Sequence, residues 1–161
     1  MSKVLLLLRH AKSSWSDERL PDHERPLNDR GKREAPAVGE RLRQSKRRPD
    51  LIVSSTAKRA RKTAKLVAEN VKFKRPVLLY PELYEAPPAR FFQVLGNLPD
   101  DPETLLLVGH NPGISSFASL LTGEDIEMPT AGLVEIDLGE QQWDKLSKKK
   151  GSGRLVEIWS P

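Results

Sequence analysis

Three short apolar runs constrain the fold more than any other feature of the chain: Val4-Leu5-Leu6-Leu7-Leu8, Leu51-Ile52-Val53 and Leu105-Leu106-Leu107-Val108. Runs of this length read as buried β-strands. Each is followed at once by polar residues. Arg9-His10 follows the first, Ser54-Ser55-Thr56 the second, and Gly109-His110-Asn111-Pro112-Gly113 the third. Open α/β sheets bind ligands at the carboxyl ends of their strands. The strand–helix repetition predicts a three-layer α/β/α domain with a mostly parallel sheet of about six strands.

The strands are expected at residues 3–9, 51–53, 77–80, 104–108, 133–138 and 154–159. Residues 13–27, with Pro21 and Pro26, read as a loop. A helix capped by Asn28 or Asp29 runs to about Ser45, and Pro36 and Gly39 predict irregular first turns. Further helices are expected over 57–70, 89–97 and 114–121, and a mobile basic hairpin loop over 145–153. There is no repeat and no linker, so a single domain is expected over residues 1–161. The apolar run before Arg9 is too short for a secretory h-region or a membrane span. The chain has no cysteine, which removes disulfides and thiolate metal sites. A monomeric cytoplasmic protein without a membrane partner is expected.

The 27 basic and 22 acidic residues leave a net charge of +5. The excess is concentrated between Arg41 and Arg75, where Asp50 and Glu69 are the acids. Aromatic residues do not interleave with these cations, so no stacking platform for single-stranded nucleic acid is present. The segment reads as a solvated helical surface beside an anion site. No nucleic-acid partner is expected, and the positive field would attract a phosphorylated substrate.

An imidazole at a strand end is a nucleophile or proton carrier near neutral pH, and a guanidinium fork matches phosphate oxygens. His10 is the candidate nucleophile, and nearby arginines should lower its pKa. Its second ring nitrogen should donate to a carbonyl or carboxylate, which fixes the tautomer. His110 is the candidate donor to the phosphoryl group. Arg9 and one cation of the Lys58-Arg59-Ala60-Arg61 stretch are candidates for phosphate binding. His23 lies in a polar loop and reads as exposed.

These motifs, in this order, resemble those of the histidine phosphatase superfamily, whose first motif is Arg-His-Gly. The chain looks most like the SixA-like branch of small phosphohistidine phosphatases, from Leu5 to about Val134. Ala11 stands where many members have glycine. The resemblance implies a phosphoglycerate mutase-like fold and a two-step route through a phospho-His10 intermediate, with no metal and no cofactor. The family pattern Ser-x-x-x-Arg-Ala-x-x-Thr-Ala, read from Ser55, implies that Arg59 binds phosphate and that Lys58 and Arg61 are surface charges. Arg25, in Glu24-Arg25-Pro26-Leu27, resembles a stretch of this branch and either reaches the pocket or pairs with an acid. Ser13 and Thr130 are further candidates, the latter through a family-like Thr130-Ala131-Gly132 segment.

Related enzymes use a glutamate as general acid in a Leu-x-Glu context. Leu83-Tyr84-Glu85 matches its start, but Ala86-Pro87-Pro88 follows and the rest is missing; Glu82 lies close by. A weak acid favours a leaving group that departs easily, and imidazole is one. The short connections predict an open site. The expected function is therefore metal-independent removal of phosphate from protein phosphohistidine. The expected partner is a phosphorylated protein or a small phosphorylated substrate. The alternatives are a phosphatase of a small phosphomonoester and a non-catalytic phosphate- or RNA-binding module.

Overall fold

In a computed structural model, which describes residues 2–161, six strands form one sheet. They are β1 (Lys3–Arg9), β2 (Leu51–Ser55), β3 (Leu78–Tyr80), β4 (Thr104–Gly109), β5 (Leu133–Gly139) and β6 (Arg154–Trp159). Their spatial order is β3-β2-β4-β1-β5-β6. The pairs β1–β4, β2–β4 and β2–β3 are parallel, and β5 runs antiparallel to both β1 and β6. The expected α/β/α architecture is the observed one.

Strand alternation explains why the central strands are apolar at successive positions between their ends. Successive side chains point to opposite faces of a sheet. Leu5, Leu7, Leu105 and Leu107 pack in one core with Phe91, Ile114 and Phe117. Leu6, Leu8, Leu106 and Val108 pack in the other with Val38, Leu42, Ala60 and Ala64. The first core lies under α3 (Pro88–Leu95) and α4 (Gly113–Thr122), the second under α1 (Asp29–Gln44) and α2 (Lys58–Asn70). A strand covered on both faces must be apolar throughout.

α1 begins where the cap residue predicts, with the Asn28 side chain accepting from the Gly31 N–H at 2.8 Å. It then runs unbroken through Pro36, so the expected irregularity is absent. Packing accounts for this. Ala35, Val38 and Leu42 are buried, and Gly39 lets α1 approach α2, where a Cβ would lie 2.5 Å from that of Asn70. Propensity yields to such tertiary contacts. The 145–153 connection is likewise tied down: the Gly151 and Gly153 N–H groups donate to the Leu120 and Leu121 carbonyls at 2.9 and 2.7 Å. No helix among the described residues is long and apolar enough to cross a membrane.

The chain order of the strands positions the site. β4 returns between β1 and β2, and β5 then lies on the far side of β1. The carboxyl ends of β1 and β4 therefore meet at a switch point, with Arg9 in register with Gly109. Residues following these two strands face a common crevice.

Candidate active site

His10 and His110 enter that crevice from β1 and β4, and their rings lie 5.0 Å apart. The backbone holds them there. The His10 N–H donates to the Gly109 carbonyl at 3.0 Å, and the Arg9 N–H to Gly132 at 3.1 Å. Ala131, in the left-handed region at φ 59°, donates its N–H toward the Arg9 and His10 carbonyls, each at 3.1 Å. Thr63 links the first motif to the second: its hydroxyl accepts from the Ala11 N–H at 3.0 Å and donates to the Arg59 carbonyl at 2.7 Å. Gly113 lets the 85–88 loop close on the start of α4, since a Cβ there would lie 1.8 Å from the Ala86 carbonyl oxygen.

The His10 ring has one arrangement that uses its neighbour. Nδ1 lies 2.7 Å from the Ala11 carbonyl oxygen, which can only accept. Nδ1 therefore carries the proton, and Nε2 keeps its lone pair. His10 is buried, and burial is the largest influence lowering its pKa, to about 4; Arg59, Arg9 and Arg25 add repulsion in the same direction. The expected effect of the arginines is present but secondary. The His110 pKa falls to about 3, again mainly by burial and then by His10. At neutral pH both rings are uncharged.

The cations stand around this pair. Arg9 donates from Nη1 to the Met128 carbonyl at 3.0 Å, and its Nε is buried without a partner. Asn111 donates to the same carbonyl at 3.0 Å, so the segment before β5 orients the Arg9 fork. Arg59 is buried. Its Nη1 donates to the Asp22 carbonyl at 2.7 Å and its Nη2 to Asp22 Oδ2 at 2.9 Å. Arg61 points elsewhere, donating to the Thr56 carbonyl at 3.2 Å on the surface. The first turn of α2 has no acidic residue, so its cations and its dipole both favour an anion at this end.

Asp22 and Tyr84 also belong to the site, and neither is a candidate in the sequence reading. The Asp22 carboxylate accepts from Tyr84 Oη, from Arg59, and from Arg25 Nη1 at 2.9 Å. The Tyr84 hydrogen bond, then Arg59 and Arg25, hold this carboxyl far below the usual range. Tyr84 is correspondingly pushed up to about 12, by burial and by Asp22. Its ring meets His110 edge-on at 5.5 Å. Tyr84 falls within the Leu83-Tyr84-Glu85 segment, where the acid pattern draws attention to the neighbouring glutamate. Asp22 lies in a single 3-10 turn (Asp22–Glu24) inside a loop without periodicity, and no sequence signal marks it.

The other candidates divide. Arg25 is buried, donates to Ser13 Oγ and to the Ser14 carbonyl, and stacks on the exposed ring of Trp15. Arg25 pairs with Asp22, as the second reading expects, and its charge helps to lower the His10 pKa. His23 is half-buried rather than exposed, with Nδ1 2.7 Å from Glu24 and Nε2 2.9 Å from Thr56 Oγ1. Glu85 has φ 51° and lines a cavity of about 430 Å³ with Ala86, Pro87, His110, Asn111 and Ser116. Glu82 is exposed, and Thr130 precedes Ala131 at the β1 end. A larger depression of about 550 Å³, bounded by Leu95 to Asp101 and by Gln142 to Asp144, contains no histidine or arginine. Among the described residues no group of three or more His, Asp and Glu side chains converges as a metal site.

Comparison with known proteins points the same way. A sequence model of the histidine phosphatase superfamily (branch 1) matches residues 5–91. An uncharacterized chloroplastic protein of Arabidopsis thaliana is 33% identical over 162 residues, which cover 95% of this chain and 74% of that one. Two solved structures named as putative phosphohistidine phosphatase SixA are similar throughout. The Agrobacterium tumefaciens structure has a TM-score of 0.82 at 27% identity, covering 99% of each chain. The Nakamurella multipartitia structure has a TM-score of 0.86 at 25% identity, covering 100% of this chain and 97% of that one.

Proposed function

Because the chain belongs to the histidine phosphatase superfamily, we propose that it is a metal-independent phosphatase acting on protein phosphohistidine through a phospho-His10 intermediate. One observation carries the choice of substrate. Asp22, the carboxylate that bridges Tyr84, Arg59 and Arg25, is held ionised and cannot supply a proton at neutral pH. An alcohol leaving group needs a strong proton donor, whereas imidazole leaves with far less help. The likeness to the two SixA structures supports the same reading.

In the proposed reaction His10 Nε2 attacks phosphorus in line. The P–Nε2 bond forms as the substrate's P–N bond breaks, and the released imidazole takes up a proton from solvent, which the dihydrogen phosphate formed in the second step returns. Arg9, Arg25 and Arg59 neutralise the equatorial oxygens, and His110 donates a hydrogen bond to the developing charge. Water then displaces His10, yielding inorganic phosphate and the neutral ring. With three arginines against the phosphoryl group, charge neutralisation does not call on a divalent ion. Activity should therefore survive EDTA.

A second reading, hydrolysis of a small phosphomonoester, is favoured by Glu85, which lines the cavity beside His110. Parallel assays on a phosphohistidine protein, on phosphoramidate and on a panel of phosphomonoesters separate the two. The proposal expects the highest kcat/KM on the phosphohistidine protein. A phosphomonoester that exceeds it overturns the substrate choice. Activity lost in EDTA and restored only by a divalent ion overturns metal independence.

A further inference from the structure

We propose that Ser55 is a positioning residue for His110: its hydroxyl donates to His110 Nε2 and so keeps the ring in the Nδ1–H tautomer that donates to the phosphoryl group. The assignment builds on the phosphatase reading above, but its geometry stands in the resting protein. Ser55 Oγ lies 2.8 Å from His110 Nε2 and accepts the Ala57 N–H at 3.2 Å. Ser55 is fully buried at the end of β2. His110 Nδ1 is also buried and has no partner among the described residues.

Two proton arrangements are possible along this contact. If His110 Nε2 carried the hydrogen, it would donate to Ser55 Oγ. The Ser55 hydroxyl hydrogen would then have no acceptor among its hydrogen-bonded neighbours, and a bare lone pair would remain on the buried Nδ1. Two buried polar groups would be unsatisfied. If Ser55 donates instead, its hydroxyl is fully used, and one unpaired group remains, the Nδ1–H. Leaving buried polar groups unpaired is costly, so the second arrangement is favoured. Donation from Ala57 to the same oxygen polarises the hydroxyl further in that sense.

The unpaired Nδ1–H is the kind of group an oxyanion site keeps free. It is a fixed, desolvated donor on the ring 5.0 Å from that of His10, with no reorganisation needed when charge develops. The opposite tautomer would turn a lone pair toward anionic oxygens. The two histidines thus share the Nδ1–H form for opposite uses. In His10 a carbonyl accepts the Nδ1–H hydrogen bond so that Nε2 can attack. In His110 a hydroxyl takes Nε2 so that Nδ1 can donate.

Long-range ¹H–¹⁵N spectra of the resting protein at pH 7 read the tautomer directly. Only three histidines are present, and His110→Asn identifies the relevant signals. The wild type is expected to show the Nδ1–H pattern at His110. Ser55→Ala should convert it, wholly or in part, to the Nε2–H pattern. The same change should lower kcat about ten- to a hundredfold, up to the range for loss of an oxyanion donor. Ser55→Thr, which keeps the hydroxyl, should restore both tautomer and rate. An Nε2–H pattern in the wild type overturns the proposal even if Ser55→Ala fails to fold, as does an Nδ1–H pattern that Ser55→Ala leaves unchanged. A protein with the predicted tautomers but no phosphatase activity would refute the proposed function and leave this assignment standing.

Discussion

Acid should destabilise this protein through His10, and a single substitution isolates the effect. The native ring is held near a pKa of about 4, while an unfolded histidine titrates near 6.5. Between these values the unfolded chain binds a proton that the native state refuses. Stability therefore rises with pH across the window and is lost as pH falls from about 6.5 toward 4. The full difference corresponds to about 3 kcal/mol for His10, and most of it has been lost by pH 4.5. The assay is urea denaturation of wild type and His10→Asn at pH 7.0 and 4.5. Asparagine does not titrate, so the pH-dependent loss should be smaller in the variant by about 2–3 kcal/mol. Equal losses in the two proteins would mean that native His10 titrates like a free histidine. The claim of a desolvated, neutral nucleophile would then be wrong. His110 is depressed in the same sense and should contribute a further part of the acid sensitivity that remains in His10→Asn.

Arg59→Lys keeps the charge but removes the fork that lies buried beside His10, and kcat/KM should fall by about 10²–10³. Arg61→Lys, on the exposed side of the same helix, is expected to change it less than about twofold; similar losses in the two variants would refute the assigned register. Glu85→Gln should slow phosphomonoester hydrolysis by about 10²–10⁴, the general-acid range, with a much smaller loss on phosphohistidine. Steady-state kinetics on both substrates decides this, and equal large losses would make Glu85 the acid of the native reaction.

How much of this could be read from the chain differs by element. The central strands were legible because both their faces are covered. Leu5 and Leu6 serve opposite cores, and an uninterrupted apolar run is the signature of that situation. His10 and His110 stand out in the chain because each follows such a run almost at once, whereas Arg59 is distinguished from Lys58 and Arg61 only by the resemblance to the family pattern. α1 was harder, since Pro36 argues locally against a helix that packing on α2 sustains. The Asp22–Tyr84 contact joins residues 62 positions apart, from two loops without periodicity. No local pattern can express it. Ser55 falls within a motif, but only the fold sets its partner. A hydroxyl at a buried strand end must find a hydrogen-bond partner, and here the partner is on β4's loop.

In the proposed mechanism His10 forms a covalent bond to phosphorus during turnover. Rapid quenching with labelled substrate, followed by mapping under conditions that preserve phosphohistidine, tests it most directly. One acid-labile phosphoryl group is expected on His10 in the wild type and none in His10→Ala. A label on Ser13, Ser55 or another residue, or turnover with no phosphorylated intermediate, would contradict it.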